Sequence, residues 1–213
     1  MMVMNRLTTV FRTEDANIRL QAALAAGTDP SPQDVPTLMN QCATEPDFFV
    51  RDMLTWALAR HPAETTVPLL LDALHSDIPQ SCSQAMHTCS KIAAAEPRWA
   101  PTIWSALTDG TGSDNLLTAL ASSTDDETAR ATWRTAVSIV PTAEASDLAR
   151  LLSTQLGRGD REMRRSLSRA LIVLGDSAER VLEQLTHTHA RATLLLLHDP
   201  ELSFDAAEYE AAR

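Results

Sequence analysis

Apolar and small residues recur along this chain at offsets 0, 4, 7, 8 and 11, a spacing that gathers them on one face of an α-helix. The clearest copy is "VRDMLTWALARH", which puts Val50, Leu54, Ala57, Leu58 and His61 on the face. The same offsets return at Ala129, Trp133, Ala136, Val137 and Val140, and again at Met163, Leu167, Ala170, Leu171 and Leu174. A polar-start copy runs Ser81, Ala85, Thr88, Cys89, Ile92. Weaker copies begin at Ile18 (then Ala22, Ala25, Ala26) and at Ala190 (then Leu194, Leu197). Each copy predicts an amphipathic helix with a buried seam.

Polar residues keep the same register. An arginine follows the first seam residue in five of six copies, Arg19, Arg51, Arg130, Arg164 and Arg191, and Cys82 replaces it in the third. Three residues before the seam stands an aspartate in four copies: Asp15, Asp47, Asp126 and Asp160. An aspartate there caps the free N–H groups of the first turn. An arginine in that turn reaches the preceding loop or the capping aspartate of a stacked neighbour. The Asp–Arg series therefore predicts a structural ladder rather than isolated catalytic residues.

A second series has the same period. "VPTL", "VPLL" and "APTI" place Pro36, Pro68 and Pro101 at spacings of 32 and 33 residues, each near the start of a partner helix. Proline-bearing helices (A) alternate with Asp–Arg helices (B), as expected of stacked helical hairpins. On these residues the chain resembles the HEAT-repeat family, specifically its short bacterial members, over roughly residues 13–198. The resemblance implies an all-α, right-handed α-solenoid (superhelix) of about five to six HEAT-like helical hairpins. It would form one continuous domain over residues 1–213. One departure is plain: Arg130 lies 48 residues beyond Cys82. The excess holds "TDGTGSDN", read as a loop insertion near 108–115 and followed by a short extra helix at Leu116–Ala121.

Composition agrees with helices and narrows the chemistry. Aromatics are 4% of the chain and glycines number 6, too few for an all-β protein of this length. The net charge of −10 repels phosphate backbones and disfavours nucleic acid as a partner. Three cysteines without a CxxC pair, and an opening segment unlike a signal peptide, point to a cytoplasmic location. No apolar run reaches the roughly 18 residues of a membrane span.

Catalytic and metal motifs are thin. His187 and His189 form an HxH pair, which binds zinc only with a third convergent ligand, so they are read as helix-border residues and no metal is expected. Neither GxSxG nor a nucleotide-binding glycine motif occurs, and no cofactor is implied. Cys89 falls on the core face and is read as packing.

The remaining candidate is a surface. In HEAT-like arrays the B helices line the concave side, and offsets 2, 5, 6 and 9 from each seam start point away from the core. This predicts a groove with an apolar end at Asp52, Trp56, Met86 and His87 and a cationic end at Arg134, Arg165 and Arg169. The function expected is a non-enzymatic scaffold holding a protein or peptide segment in that groove, with Trp56 as its anchor. The alternative is an enzyme resembling HEAT-like alkylpurine DNA glycosylases, with Asp52 stabilising a cationic sugar and Trp56 stacking on the lesion. Its acidic charge and lack of clustered lysines count against it.

Overall fold

A computed structural model describes residues 6–110 and 115–213. Among these, the regular structure is fourteen α-helices with short 3-10 turns and no strand. The residues divide into two compact units between Ala106 and Leu107.

The first unit contains α1 (Arg6–Val10), α2 (Ala16–Thr28), α3 (Val35–Thr44), α4 (Phe48–Arg60), α5 (Ala63–Ala73), α6 (Pro79–Ala95) and most of α7 (Ala100–Thr108). Helices α3 and α5 pair with α4 and α6 as hairpins, and the B helices α2, α4 and α6 stack in sequence. The second unit contains α8 (Leu116–Ala121), α9 (Asp126–Ile139), α10 (Ala145–Ser153), α11 (Arg161–Val173), α12 (Asp176–Leu182), α13 (Thr188–His198) and α14 (Phe204–Ala211). Its B helices α9, α11 and α13 stack likewise, with α10 against α12 and the terminal α14 on α13.

The seams form as their spacing predicts. Val50, Leu54, Ala57, Leu58 and His61 are all buried in or beside α4. So are Ala129, Trp133 and Ala136 in α9, and Met163, Leu167, Ala170 and Leu171 in α11. Trp133 is wholly enclosed, and its indole N–H donates to Ala121 O at 2.9 Å, which fastens α8 to α9. Helix α8 coincides with the short extra helix expected after the insertion. Residues 111–114 of that insertion lie outside the described residues.

Two expectations need correction. In α2 the buried row is Arg19, Ala23, Ala26 and Gly27, while Ile18 is exposed and Ala25 lies outside it. Helix α2 turns its small residues toward α4, with Ala23 and Ala26 in one core cluster with Val50, Leu54 and Ala57. Pro36 and Pro101 do sit second in their helices, but Pro68 lies inside α5. That helix begins directly after Pro62 without the 3-10 lead-in seen before α3 and α7, so Pro68 interrupts an established backbone ladder.

Candidate functional site

The ladder is built from local chemistry. Asp15 accepts from Asn17 N at 2.8 Å, Asp47 from Phe49 N and Val50 N at 2.9 and 3.1 Å, and Asp160 from Met163 N at 2.9 Å. Asp126 departs from the pattern. The cap of α9 is Asp125, which accepts from Thr128 N at 2.7 Å, and this leaves the Asp126 carboxylate to Arg158 at 2.8 Å. Either half of the Asp–Asp pair could have capped; the helix begins one residue earlier than read. At α13 the cap is His187, whose Nδ1 accepts from His189 N at 3.1 Å.

The arginines hold the loops before their helices. Arg19 Nη1 donates to Thr13 O and Glu14 O at 2.9 and 2.8 Å, and Arg51 Nη1 donates to Glu45 O and Pro46 O at 3.0 and 2.8 Å. These carbonyls lie six and five residues back in both copies. Arg164 keeps the register through Gly159 O at 3.2 Å. Cys82 keeps it too, its thiol donating to Ser76 O, six residues back, at 3.1 Å. A buried thiol thus does the loop-holding of the missing guanidinium over a shorter reach. Arg130 pairs with Glu127 on its own helix at 2.6 Å, and Arg158 bonds Ser123 O in the loop ahead of α9. Arg191 is exposed.

The neighbour that the ladder reaches is a glutamate, not a capping aspartate. Glu45 is fully buried and accepts from Arg19 Nε and Nη2 at 2.8 and 2.7 Å, from Gln41 at 2.7 Å and from Asp47 N at 3.0 Å. Burial alone would raise its carboxyl, but the bonds from Arg19, Asp47 N–H and Gln41 outweigh that and hold it below the usual value. Gln80 of α6 donates to Cys42 O and Glu45 O at 2.8 and 2.9 Å, so three successive hairpins meet at this loop. The signal for Glu45 was an acid two residues before a cap, in "TEPD".

The outward strip is narrower than the helical offsets predict. Trp56 is 40% exposed and Asp52 is exposed, one turn apart on α4. His87 is half-buried, whereas Met86 is 0% exposed and offers a ligand nothing. Arg134 and Arg169 are exposed and Arg165 is half-buried beside Glu162. Thr55 and Ser168, at the same offset as Met86, are buried as well. A B helix in a stack is flanked by other B helices in addition to its A partner, so in α4, α6 and α11 the offset-5 position goes under a neighbour, whereas in α9 Arg134 at that offset is exposed and Thr135 at offset 6 is buried instead. The aromatic end of the candidate groove belongs to the first unit and the arginine end to the second.

Two further aromatics join that strip. Phe48 and Phe49 are 64% and 69% exposed, packed edge to face at 5.6 Å. Phe49, Asp52, Trp56 and Arg60 share one face of α4, with the Arg60 guanidinium 5.9 Å from the Trp56 ring. Beneath Trp56 lies Gly27 of α2. A Cβ there would fall 2.3 Å from Trp56 Cζ3 and 2.8 Å from Ala57 Cα, so only glycine lets the ring settle against this backbone.

The second unit holds a buried polar chain. Gly157 N donates to His189 Nδ1 at 3.0 Å, which assigns the imidazole proton to Nε2. Nε2 lies 2.9 Å from Ser168 Oγ and 3.1 Å from Arg164 O. Ser168 then donates to Thr193 Oγ1 at 2.8 Å, and Thr193 donates to His189 O at 2.9 Å. Every hydrogen has a place. The serine faces a donor nitrogen rather than a base and is 1% exposed, so this Ser–His pair is packing, not a nucleophile. Burial drives the His189 pKa down to about 4, and the ring is neutral.

Burial also pushes the Cys42 and Cys89 thiols up to about 12, which leaves them unreactive. Among the described residues no three metal-ligating side chains converge, and no helix is long and apolar enough to cross a membrane. A cavity of about 520 Å³ lies between the A helices α10 and α12, lined by Arg150, Arg180, Val181 and Leu185, away from the B-helix strip.

Residues 4–88 match the family model for HEAT repeats. That stretch of the chain carries HEAT repeats. Among solved structures, the crystal structure of an engineered protein superposes with a TM-score of 0.51 at 16% identity, covering 98% of this chain and 99% of that one. At that identity the likeness is one of fold, an all-α solenoid of helical repeats. Comparison with curated proteins finds no match. The HEAT hairpins of residues 4–88 include α4 and its aromatic strip.

Proposed function

We propose that this HEAT-repeat chain is a non-enzymatic interaction module that holds a protein segment on its B-helix face. The observation that carries the reading is Trp56, an aromatic ring seated on the Gly27 backbone yet 40% exposed, in line with Phe49. A ring fixed from behind and open in front presents contact area with little conformational entropy left to lose, the property of an interface anchor. Core packing does not require Phe48 and Phe49 to stand in water beside it. Asp52 and Arg60 on the same face supply one charge of each sign for register.

The test is affinity capture from native extract followed by titration of the recovered partner. Trp56→Ala should weaken that complex by about 2 kcal/mol or more. Phe49→Ala should weaken it without lowering the melting temperature, because that ring is 69% exposed. If Trp56→Ala keeps every partner and only melts earlier, the ring is structural and the face is misassigned. Lesion excision that disappears in Asp52→Asn would replace this reading by the glycosylase-type alternative.

A further inference from the structure

The ladder arginine of α11 meets an unusual partner. In the first unit Arg19 is answered by Glu45, which stands two residues before the cap of the next B helix. The corresponding position before the cap of α13 is Leu185. The repeat therefore provides no carboxylate for Arg164. One arrives from the far end of the chain: Glu208 of α14 accepts from Arg164 Nε and Nη2 at 2.7 and 3.2 Å. One turn earlier, Asp205 accepts from Arg161 Nε and Nη2 at 2.6 and 2.9 Å. Two acids spaced i, i+3 thus face two arginines spaced i, i+3, both pairs bidentate.

The apolar side of α14 consists of Phe204, Ala207 and Ala211, all buried. Ala207 and Ala211 pack on Ala192, with Leu195, Leu196 and Leu202 at the margin, and Phe204 meets the His189 ring edge-on at 6.2 Å. Ala192 and Leu196 occupy offsets 2 and 6 of the α13 copy, the positions that Asp52 and Trp56 hold in the strip on α4, and Leu195 lies between them at offset 5. Helix α14 has eight residues and follows a connection of five, 199–203. It sits where a partner would sit.

We infer that Arg161 and Arg164 of α11, with the outward face of α13, form a receptor for an acidic amphipathic helix, which α14 fills in cis and a partner segment of the same acid spacing takes over. The claim that a partner exists rests on the interaction-module reading; the receptor is a separate place on the chain. A tethered helix competes at high effective concentration, so a free ligand binds weakly until the cis contacts are loosened. Phe204 and the two alanines hold α14 by burial, and the two ion pairs beside them, reached by water, are the part of the hold that salt and charge changes can loosen.

The experiment titrates a labelled peptide of residues 201–213 into the full-length chain. Asp205→Ala/Glu208→Ala in the full-length chain should bind the peptide at least ten-fold more tightly than wild type does. Binding should weaken with added salt and disappear when Arg161→Ala/Arg164→Ala is added. No binding to a folded Asp205→Ala/Glu208→Ala variant, or binding indifferent to the arginines, overturns the receptor. Native-state hydrogen exchange on the wild type decides independently of variant folding. Amides of 204–211 should open at least a hundred-fold more often than those of α11. If they exchange only with global unfolding, α14 is a fixed end-cap and the inference falls. None of these readouts involves Trp56, so either reading can fail while the other stands.

Discussion

Arg19 and Arg164 hold the same rung of the repeat ladder, and the molecule treats them oppositely. Arg19 and its partner Glu45 are withdrawn from water, 8% and 0% exposed at their side chains. Two further hydrogen bonds complete the carboxylate. Arg164 and Glu208 are each 27% exposed, and the acid comes from a terminal helix. A desolvated pair holds its geometry because breaking it strands a charge in a medium that cannot solvate it. A wetted pair has water as an alternative partner, so separating it costs little. One arginine locks hairpins together; the other is available for exchange.

The largest effect should come from breaking the locked rung. Glu45→Ala leaves the Arg19 guanidinium buried without its carboxylate and should destabilise the chain by about 3–5 kcal/mol in urea unfolding. A loss below about 1 kcal/mol would mean that water enters and that the two rungs do not differ.

The pH dependence sharpens the contrast between the units. The folded His189 value, about 4, lies below the ordinary 6.5, so the unfolded chain binds this proton first. The contribution is fully present above pH 6.5 and is lost as pH falls toward 4, to a total of roughly 3 kcal/mol. A protonated Nδ1 would also face the Gly157 N–H it now accepts from. Glu45, also lowered, loses its contribution only as pH falls below 4.5 toward its folded value. Unfolding curves between pH 7 and 5 should therefore report His189, and a Ser168→Ala variant should leave that slope largely in place. A flat profile in this window would contradict the neutral buried ring.

A smaller effect tests the seat of Trp56. Gly27→Ala should cost about 1–3 kcal/mol through the forced contact, partly offset by the better helix propensity of alanine. Combined with Trp56→Ala the penalty should shrink, because one of the two clashing groups is gone, leaving the Ala57 backbone contact. Strict additivity in thermal melts would separate the two residues. Smallest of all, Glu208→Gln should shift stability by less than about 1 kcal/mol, with the shift fading in high salt. A loss as large as that of Glu45→Ala would erase the comparison.

The repeat itself was legible because its grammar is local. A cap and the carbonyls five and six residues behind an arginine lie within two turns of it, so the copies from Asp15, Asp47 and Asp160 could be read off the chain, with Cys82 as their substitute. Seam burial followed from helical period alone in α4, α9 and α11. The sequence by itself thus determined the alternation of helical hairpins and, in α4, α9 and α11, the face turned to the partner.

Tertiary structure decided what stands opposite that face. Met86, Thr55 and Ser168 point away from their own hairpins, but neighbouring B helices bury them while Arg134 at the same offset of α9 stays exposed, and no intra-helix period records a neighbour. Glu45 meets Arg19 across 26 residues and Glu208 meets Arg164 across 44, separations with no common spacing in the sequence. Gly27 looks like a weak point in α2 until Trp56 lies on it. Hydrogen bonds within a helical turn are fixed by backbone geometry, whereas ionic partners and packing between helices depend on which surfaces the fold brings together.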